Sequence, residues 1–271
     1  MIMPWFCPVS HDELCAGFAN LSSWTYEALQ FGHFNNFVPR EETITEVLLM
    51  DLIRKYPHRI KINKFNVHEE KNFGADWEWW FIGQSLVFRM RIQAKKLNSF
   101  SLNYDHLDYP TDKTKPRQVD ALITEANKAN PRRFPAYCFY NYWPANPRFA
   151  GPNCGATFPR DVIRGCSIAS ASKVKKLLAN SKTDLANVSA DSDPLICMFC
   201  PRFGNEIRMS NDDPNWLPTI IRESCLRLKE KEEVVPECSD ESISTALNSL
   251  NHTENIEGLA GIAAFLQEDI I

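Results

Sequence analysis

The most regular stretch of the chain is Leu86–Lys95, where from Phe88 onward apolar and polar side chains alternate without a break. Successive strand residues point to opposite faces. Phe88, Met90, Ile92 and Ala94 therefore share one face, and Arg89, Arg91, Gln93 and Lys95 share the other. This predicts a core strand with one cationic, polar side. Ala75–Ile82 is dense in aromatics of strand type and is bounded by Gly74 and by Gly83-Gln84-Ser85, so it reads as the preceding strand. Lys61–Glu70 alternates only loosely and is read as a weaker strand ahead of both.

Helical periods flank these strands. Residues 11–30 form an amphipathic pattern through Leu14, Phe18, Leu21 and Leu29. Glu41–Tyr56 has acids in its first turn, bases in its last and Pro57 as a stop. From Gln118, apolar residues recur at Val119, Leu122, Ile123 and Ala126, and Pro131 ends the period. Pro135–Trp143 reads as a buried strand. The order through residue 143 is helix, three strands, helix, strand, which predicts an α/β layered fold.

Past residue 144 the pattern weakens. Val162–Leu178 reads as a strand and a helix, 179–193 as a polar loop, and Leu195–Cys200 as a further strand. Residues 229–253 are charged and Ser-rich, predicting a flexible linker before a short helix over 256–266. The expected division is a helical extension over 1–38, a core over 39–228, and an acidic linker with a C-terminal helix over 229–271.

Composition narrows the class. Of 271 residues, 44% are hydrophobic and 24% charged, the balance of an ordinary globular protein. No apolar run approaches the roughly 18 to 20 residues that span a bilayer, and the N-terminal residues lack a secretory pattern, so a cytoplasmic protein without a membrane partner is expected. The nine cysteines are odd in number and scattered, which argues for reduced thiols. Cys197-Met-Phe-Cys200 has the spacing of half a zinc site, but its apolar setting favours a place in the core. The net charge of −4 hides a division: from Glu230 onward ten acids meet one lysine, leaving the remainder at about +5. Arg89, Arg91, Lys95 and Lys96 form the first basic cluster, followed by Lys113, Lys115, Arg117, Arg132 and Arg133. Such a surface suits phosphates, and Arg89, Arg91 and Lys96 are the expected nucleic-acid contacts.

If Ala75–Ile82 and Leu86–Lys95 pair as an antiparallel hairpin, Asp76 lies opposite Gln93 and Lys95. An acid, an amide and an amine so placed suit phosphodiester hydrolysis, which needs charge stabilisation and an activated water. Asp76 is the expected anchoring metal ligand, with Gln93 and the Ala94 carbonyl beside it and Lys95 positioned to handle the water. Each has a structural alternative. Aspartate after Gly-Ala also forms turns, Glu70 and Glu78 read as solvated hairpin charges before they read as ligands of a second metal, and Trp77, Trp79 and Trp80 read as helix packing before they read as base-stacking groups.

A helix glutamate, then Gly74-Ala-Asp76, then Gln93-Ala-Lys95, in this order of elements, resembles the PD-(D/E)xK superfamily of restriction-endonuclease-like nucleases, in the Mrr-like branch where glutamine takes the third motif position. The resemblance covers residues 40–143 and departs from the pattern in lacking the proline before Asp76. It implies a restriction-endonuclease-like core, Mg²⁺ or Mn²⁺ as cofactor and DNA as substrate. It also implies a helix glutamate at Glu42 or Glu46, with Glu46 favoured for its docking face, and a helix glutamine at Gln118. Gly-Ala-Asp-Trp-Glu-Trp-Trp with Gln-Ala-Lys further resembles a bacterial family associated with defence against phage, which implies an endonuclease effector, a homo-oligomer or a partner defence protein. The competing expectation is a catalytically silent nucleic-acid-binding or assembly protein of the same fold.

Overall fold

The computed structural model describes residues 11–57, 59–82, 87–107, 117–130, 133–144 and 164–198. Six strands form one open sheet in the order β1-β2-β3-β4-β5-β6, which is also their order along the chain. They are β1 (Ile60–Lys64), β2 (Trp77–Ile82), β3 (Val87–Lys96), β4 (Phe134–Tyr140), β5 (Cys166–Ser170) and the two-residue β6 (Asp193–Pro194). Every neighbouring pair is antiparallel except β3 and β4, which run parallel. A parallel pair needs a crossover. Here the chain crosses through α4 (Gln118–Lys128).

The alternation in β3 decides what each face holds. Met90, Ile92 and Ala94 enter a core shared with α1 (His11–Phe34) and α2 (Glu41–Lys55), together with Trp77, Trp79 and Cys138. On the other face Tyr137 and Phe139 meet Val119 and Leu122 of α4, and Val174 and Leu177 of α5 (Ala171–Ala179). Helices thus cover both sides of a mixed α/β sheet. Among the described residues no helix is long and apolar enough to cross a membrane.

Helix α1, expected as an extension, is built into this core. Phe18 is fully buried against Trp79, and Ser22 Oγ accepts from Cys166 N at 2.8 Å, tying α1 to β5.

Three elements differ from the sequence expectation. The loose strand over 61–70 stops at Lys64, and α3 (Val67–Phe73) follows. Its cause is a capping box: the Asn66 side chain accepts from His68 N and Glu69 N, while Glu69 returns a carboxylate to Asn66 N. The polar loop over 179–193 contains α6 (Leu185–Ala190), capped by Asp184, whose carboxylate accepts from Asn187 N at 3.0 Å. Leu195–Met198 is a 3₁₀ turn in the α1-side core and not a strand. A short apolar run gives no period by which to tell strand from helix. The expected linker over 229–253 and helix over 256–266 lie outside the described residues, as does Cys200; Cys197 is buried as a free thiol.

Gly74 fixes the geometry between α3 and β2. It ends α3 in the left-handed region, at φ 65°, with its N–H on Glu70 O at 2.8 Å. A Cβ there would lie 2.5 Å from Gln118 O and 2.7 Å from Leu122 N, so only glycine lets α4 approach this closely.

Candidate functional site

Asp76 stands where the β2–β3 ladder ends. Trp77 pairs with Ile92, and Asp76 N donates to Ile92 O at 2.8 Å. One step further, the side chain takes the place of the backbone: Asp76 Oδ2 accepts from Ala94 N at 2.6 Å. Gln93 Nε2 donates to the same carboxylate, 2.9 Å from Oδ1 and 2.8 Å from Oδ2, and lies 3.1 Å from Ala94 O. Three oxygen acceptors from two residues therefore converge on one amide nitrogen.

The parallel register sets Gln93 beside Tyr137 and Lys95 beside Phe139, on the α4 side of the sheet. Gln118, the first residue of α4, donates from Nε2 to Gln93 Oε1 at 2.6 Å. Among the described residues its own Oε1 is buried without a hydrogen-bond partner. Lys95 is buried, and its ammonium attracts the carboxylates of both Asp76 and Glu41. Asp76, Gln93, Lys95 and Gln118 are thus brought together as the sequence expected.

The helix glutamate is where expectation and structure part. Glu46 is exposed and ion-paired with Lys64. Glu41 comes in instead: its Oε2 accepts from Lys96 N at 2.6 Å, beside the motif strand. Helical spacing explains the choice. Glu41, Thr45 and Leu48 share the inward face, with Thr45 Oγ1 bonded to Tyr140 OH at 2.8 Å, whereas Glu46 lies about 100° round from Thr45. Glu42 is exposed, yet near enough for its charge to raise the proton affinity of both Asp76 and Glu41. The signal for Glu41 was its place in the first turn, where an acid also reads as a partner for the helix dipole.

The electrostatics are those of a site short of positive charge. Burial, opposed by Lys95 and reinforced by Asp76, pushes the Glu41 carboxyl up to about 7. Asp76 is also raised, by burial first, against the pull of Lys95 and its bonds to Ala94 and Gln93. Glu70, in the first turn of α3, is raised by burial and by Asp76.

The oxygen donors present fit a hard cation. An amide can turn over, exchanging its oxygen and nitrogen. If Gln93 does so, its Oε1 joins the Asp76 carboxylate and the Ala94 carbonyl at one point. Its Nε2 then faces Gln118, whose orphaned Oε1 gains a donor if that amide turns as well. Among the described residues no three His, Cys, Asp or Glu side chains converge to hold an ion. Any metal at this site would therefore rest on Asp76, Gln93 and the Ala94 carbonyl, with Glu41 alongside.

The residues expected to contact phosphate have partners within the fold. Arg91 is buried, with Nε on Glu78 Oε2 at 3.1 Å and its guanidinium over the Phe73 ring at 4.4 Å. Arg133 Nε reaches Glu78 Oε1 at 2.9 Å, and Trp80 Nε1 the same atom at 2.7 Å. Glu78 is therefore the hub of a buried ion cluster and not a solvated charge. Arg89 lies over the Trp80 ring at 4.6 Å, and Lys96 Nζ donates to Pro39 O at 2.6 Å. Trp77 and Trp79 are in the α1-side core.

A family model described as a family of unknown function (DUF6615) matches residues 14–268. No curated protein matches the chain.

Proposed function

Because the chain belongs to DUF6615, a family of unknown function, we propose on the site's own chemistry that it is a divalent-metal-dependent nuclease acting on DNA. One observation carries this reading: the Asp76 carboxylate, the Gln93 amide and the Ala94 carbonyl meet at a single point faced by Lys95. The element order supports a restriction-endonuclease-like core. Helix α2, the antiparallel strands β1 to β3, helix α4 and a fourth strand parallel to the third follow the sequence of elements that the motif resemblance implies, with α3 as an insertion.

A hard cation at this point would supply charge stabilisation for a phosphate under attack. The chain's own groups provide the remainder. Lys95 lies on the same face as Gln93 and can orient a water and neutralise developing negative charge. Glu41, holding its proton up to about pH 7, can accept or return one near neutrality. The defence role implied by the resemblance rests on the same site and stands or falls with it.

The test is plasmid cleavage by the purified chain in Mg²⁺ or Mn²⁺. Asp76→Ala and Lys95→Ala should each cut about 100-fold more slowly or less, while keeping the parent's circular dichroism. Variants that cut as fast as the parent would remove the assignment. A second reading has one observation in its favour: three donor contacts already satisfy the Asp76 carboxylate, as they would in a strand-end cap. That reading predicts nucleic-acid binding with no metal-stimulated cleavage by the parent.

A further inference from the structure

The two segments that carry Glu41 and Lys95 also lead to a group of exposed rings. Upstream of Glu41, α1 ends with Phe31 at 66% and Phe34 at 71% exposure, and Phe37 follows at 77%. Downstream of Lys95, Phe100 is 72% exposed. Burying a phenylalanine is worth about 1.5–3 kcal/mol. Among the described residues the fold leaves these four in solvent.

Two of these rings, Phe34 and Phe100, pack against His33. The Phe100 turn is built on Asn98, whose Oδ1 accepts from Phe100 N at 3.0 Å and Ser101 N at 3.3 Å, while its Nδ2 donates to Asp105 at 2.6 Å. His33 bridges the two segments: Nδ1 bonds Ser99 Oγ at 2.8 Å, and its ring lies 4.5 Å from Phe100 at an interplanar angle of 31° and 5.4 Å from Phe34. After the Asn36 turn the chain folds back over Gly32, with Phe37 N on Gly32 O at 2.8 Å; a Cβ at Gly32 would lie 2.5 Å from Phe37 O. Arg40, exposed at the start of α2, and Lys96, bonded to Pro39 O, lie between the rings and the carboxylate site.

We infer that His33, Phe34, Phe37 and Phe100 form a stacking shelf for the bases of single-stranded nucleic acid, with the phosphate backbone passing Arg40 toward Asp76 and Lys95. The inference deepens the nuclease reading of that site and rests on it. Rigid aromatic faces beside cations are what unpaired bases bind, since every base presents a flat face and every linkage a negative charge. A duplex keeps its base faces stacked on one another, so the shelf discriminates between the two forms. Trp77, Trp79 and Trp80, which the sequence assigned to helix packing ahead of base stacking, are buried, and the exposed rings are on other segments.

The test is fluorescence anisotropy of the full chain with labelled oligothymidylate of about 16 nucleotides and with a duplex of equal length, in EDTA so that neither is cut. The single strand should bind more tightly. Phe34→Ala and Phe100→Ala should each weaken it on the order of tenfold and leave duplex binding unchanged. Both rings are exposed, so the melting midpoint should hold. Phe variants that bind the single strand as the parent does, or a parent that prefers duplex, would overturn the shelf. So would a parent that sediments as a dimer while the Phe variants run as monomers, since the face would then join two copies of this chain. Binding as expected without metal-dependent cleavage would leave the shelf standing and remove the nuclease reading. Cleavage by a parent whose Phe variants bind normally would do the reverse.

Discussion

Replacing Gln93 by glutamate tests the cation site without reference to turnover. In the protein as it stands, Gln93 Nε2 gives the Asp76 carboxylate donor contacts at 2.9 and 2.8 Å. Gln93→Glu removes that donor, which costs about 1.5–3 kcal/mol for a buried charged acceptor. It also sets a second carboxyl against the first. Two unit charges about 4 Å apart repel by about 4 kcal/mol at an effective dielectric of 20; Lys95 offsets part of this, and uptake of a proton by the pair offsets more. The expected loss without metal is therefore about 3–5 kcal/mol at pH 7.5, or about 10 °C in melting midpoint.

Divalent metal should reverse the order of effects. A second carboxylate is a stronger hard-cation ligand than an amide, and Mn²⁺ at about 100 times its dissociation constant should restore about 2.7 kcal/mol. The assay is a pair of melting curves for each protein, in EDTA and in excess Mn²⁺. A third curve near pH 5 adds a check. The introduced carboxyl would have its folded-state pKa raised, so its cost is absent below the unfolded value of about 4.3 and grows as pH rises toward the folded value. The EDTA gap should thus shrink in acid. If Gln93→Glu melts with the parent in EDTA, or gains no more than the parent from Mn²⁺, the argument that these oxygens share one cation is refuted.

Other perturbations separate the site from its scaffold. Glu41, raised to about 7, costs stability as pH rises from its unfolded value toward 7; Glu41→Gln should flatten the urea midpoint between about pH 5 and 7.5, whereas Glu46→Ala, which breaks only an exposed pair, should change stability by less than about 1 kcal/mol. Gly74→Ala meets both a φ of 65° and the α4 backbone, so chemical denaturation should show a loss of about 2–3 kcal/mol or more, together with weaker Mn²⁺ binding through displaced Gln118. Glu78→Ala removes the buried carboxylate that pairs with both Arg91 and Arg133 and should cost about 3–5 kcal/mol by the same measurement, with calorimetry showing Mn²⁺ affinity retained.

Legibility followed the strength of the local signal. The strict alternation of β3 placed Gln93 and Lys95 on one face and Met90, Ile92 and Ala94 in the core, as found. The antiparallel pairing that set Asp76 against Gln93 followed from two adjacent strand-like segments. Helix α3 escaped because five strand residues run directly into a cap, and the Asn66-x-x-Glu69 signature lay unread inside a weak alternation. Choosing among Glu41, Glu42 and Glu46 required knowing which face of α2 meets the sheet, and apolar residues on both sides of Glu46 left that open. The basic face of β3 was read correctly as a face and incorrectly as free: Arg91 is spent on Glu78, which only the three-dimensional pairing with β2 brings alongside.

The backbone bond from Lys96 N to Glu41 joins positions 55 residues apart, and Gln118 reaches Gln93 across 25. No contiguous peptide holds more than a fragment of this arrangement. Limited digestion that separates α2 from β3 should therefore abolish ion affinity outright instead of grading it. Ion release and global melting should register as one cooperative event.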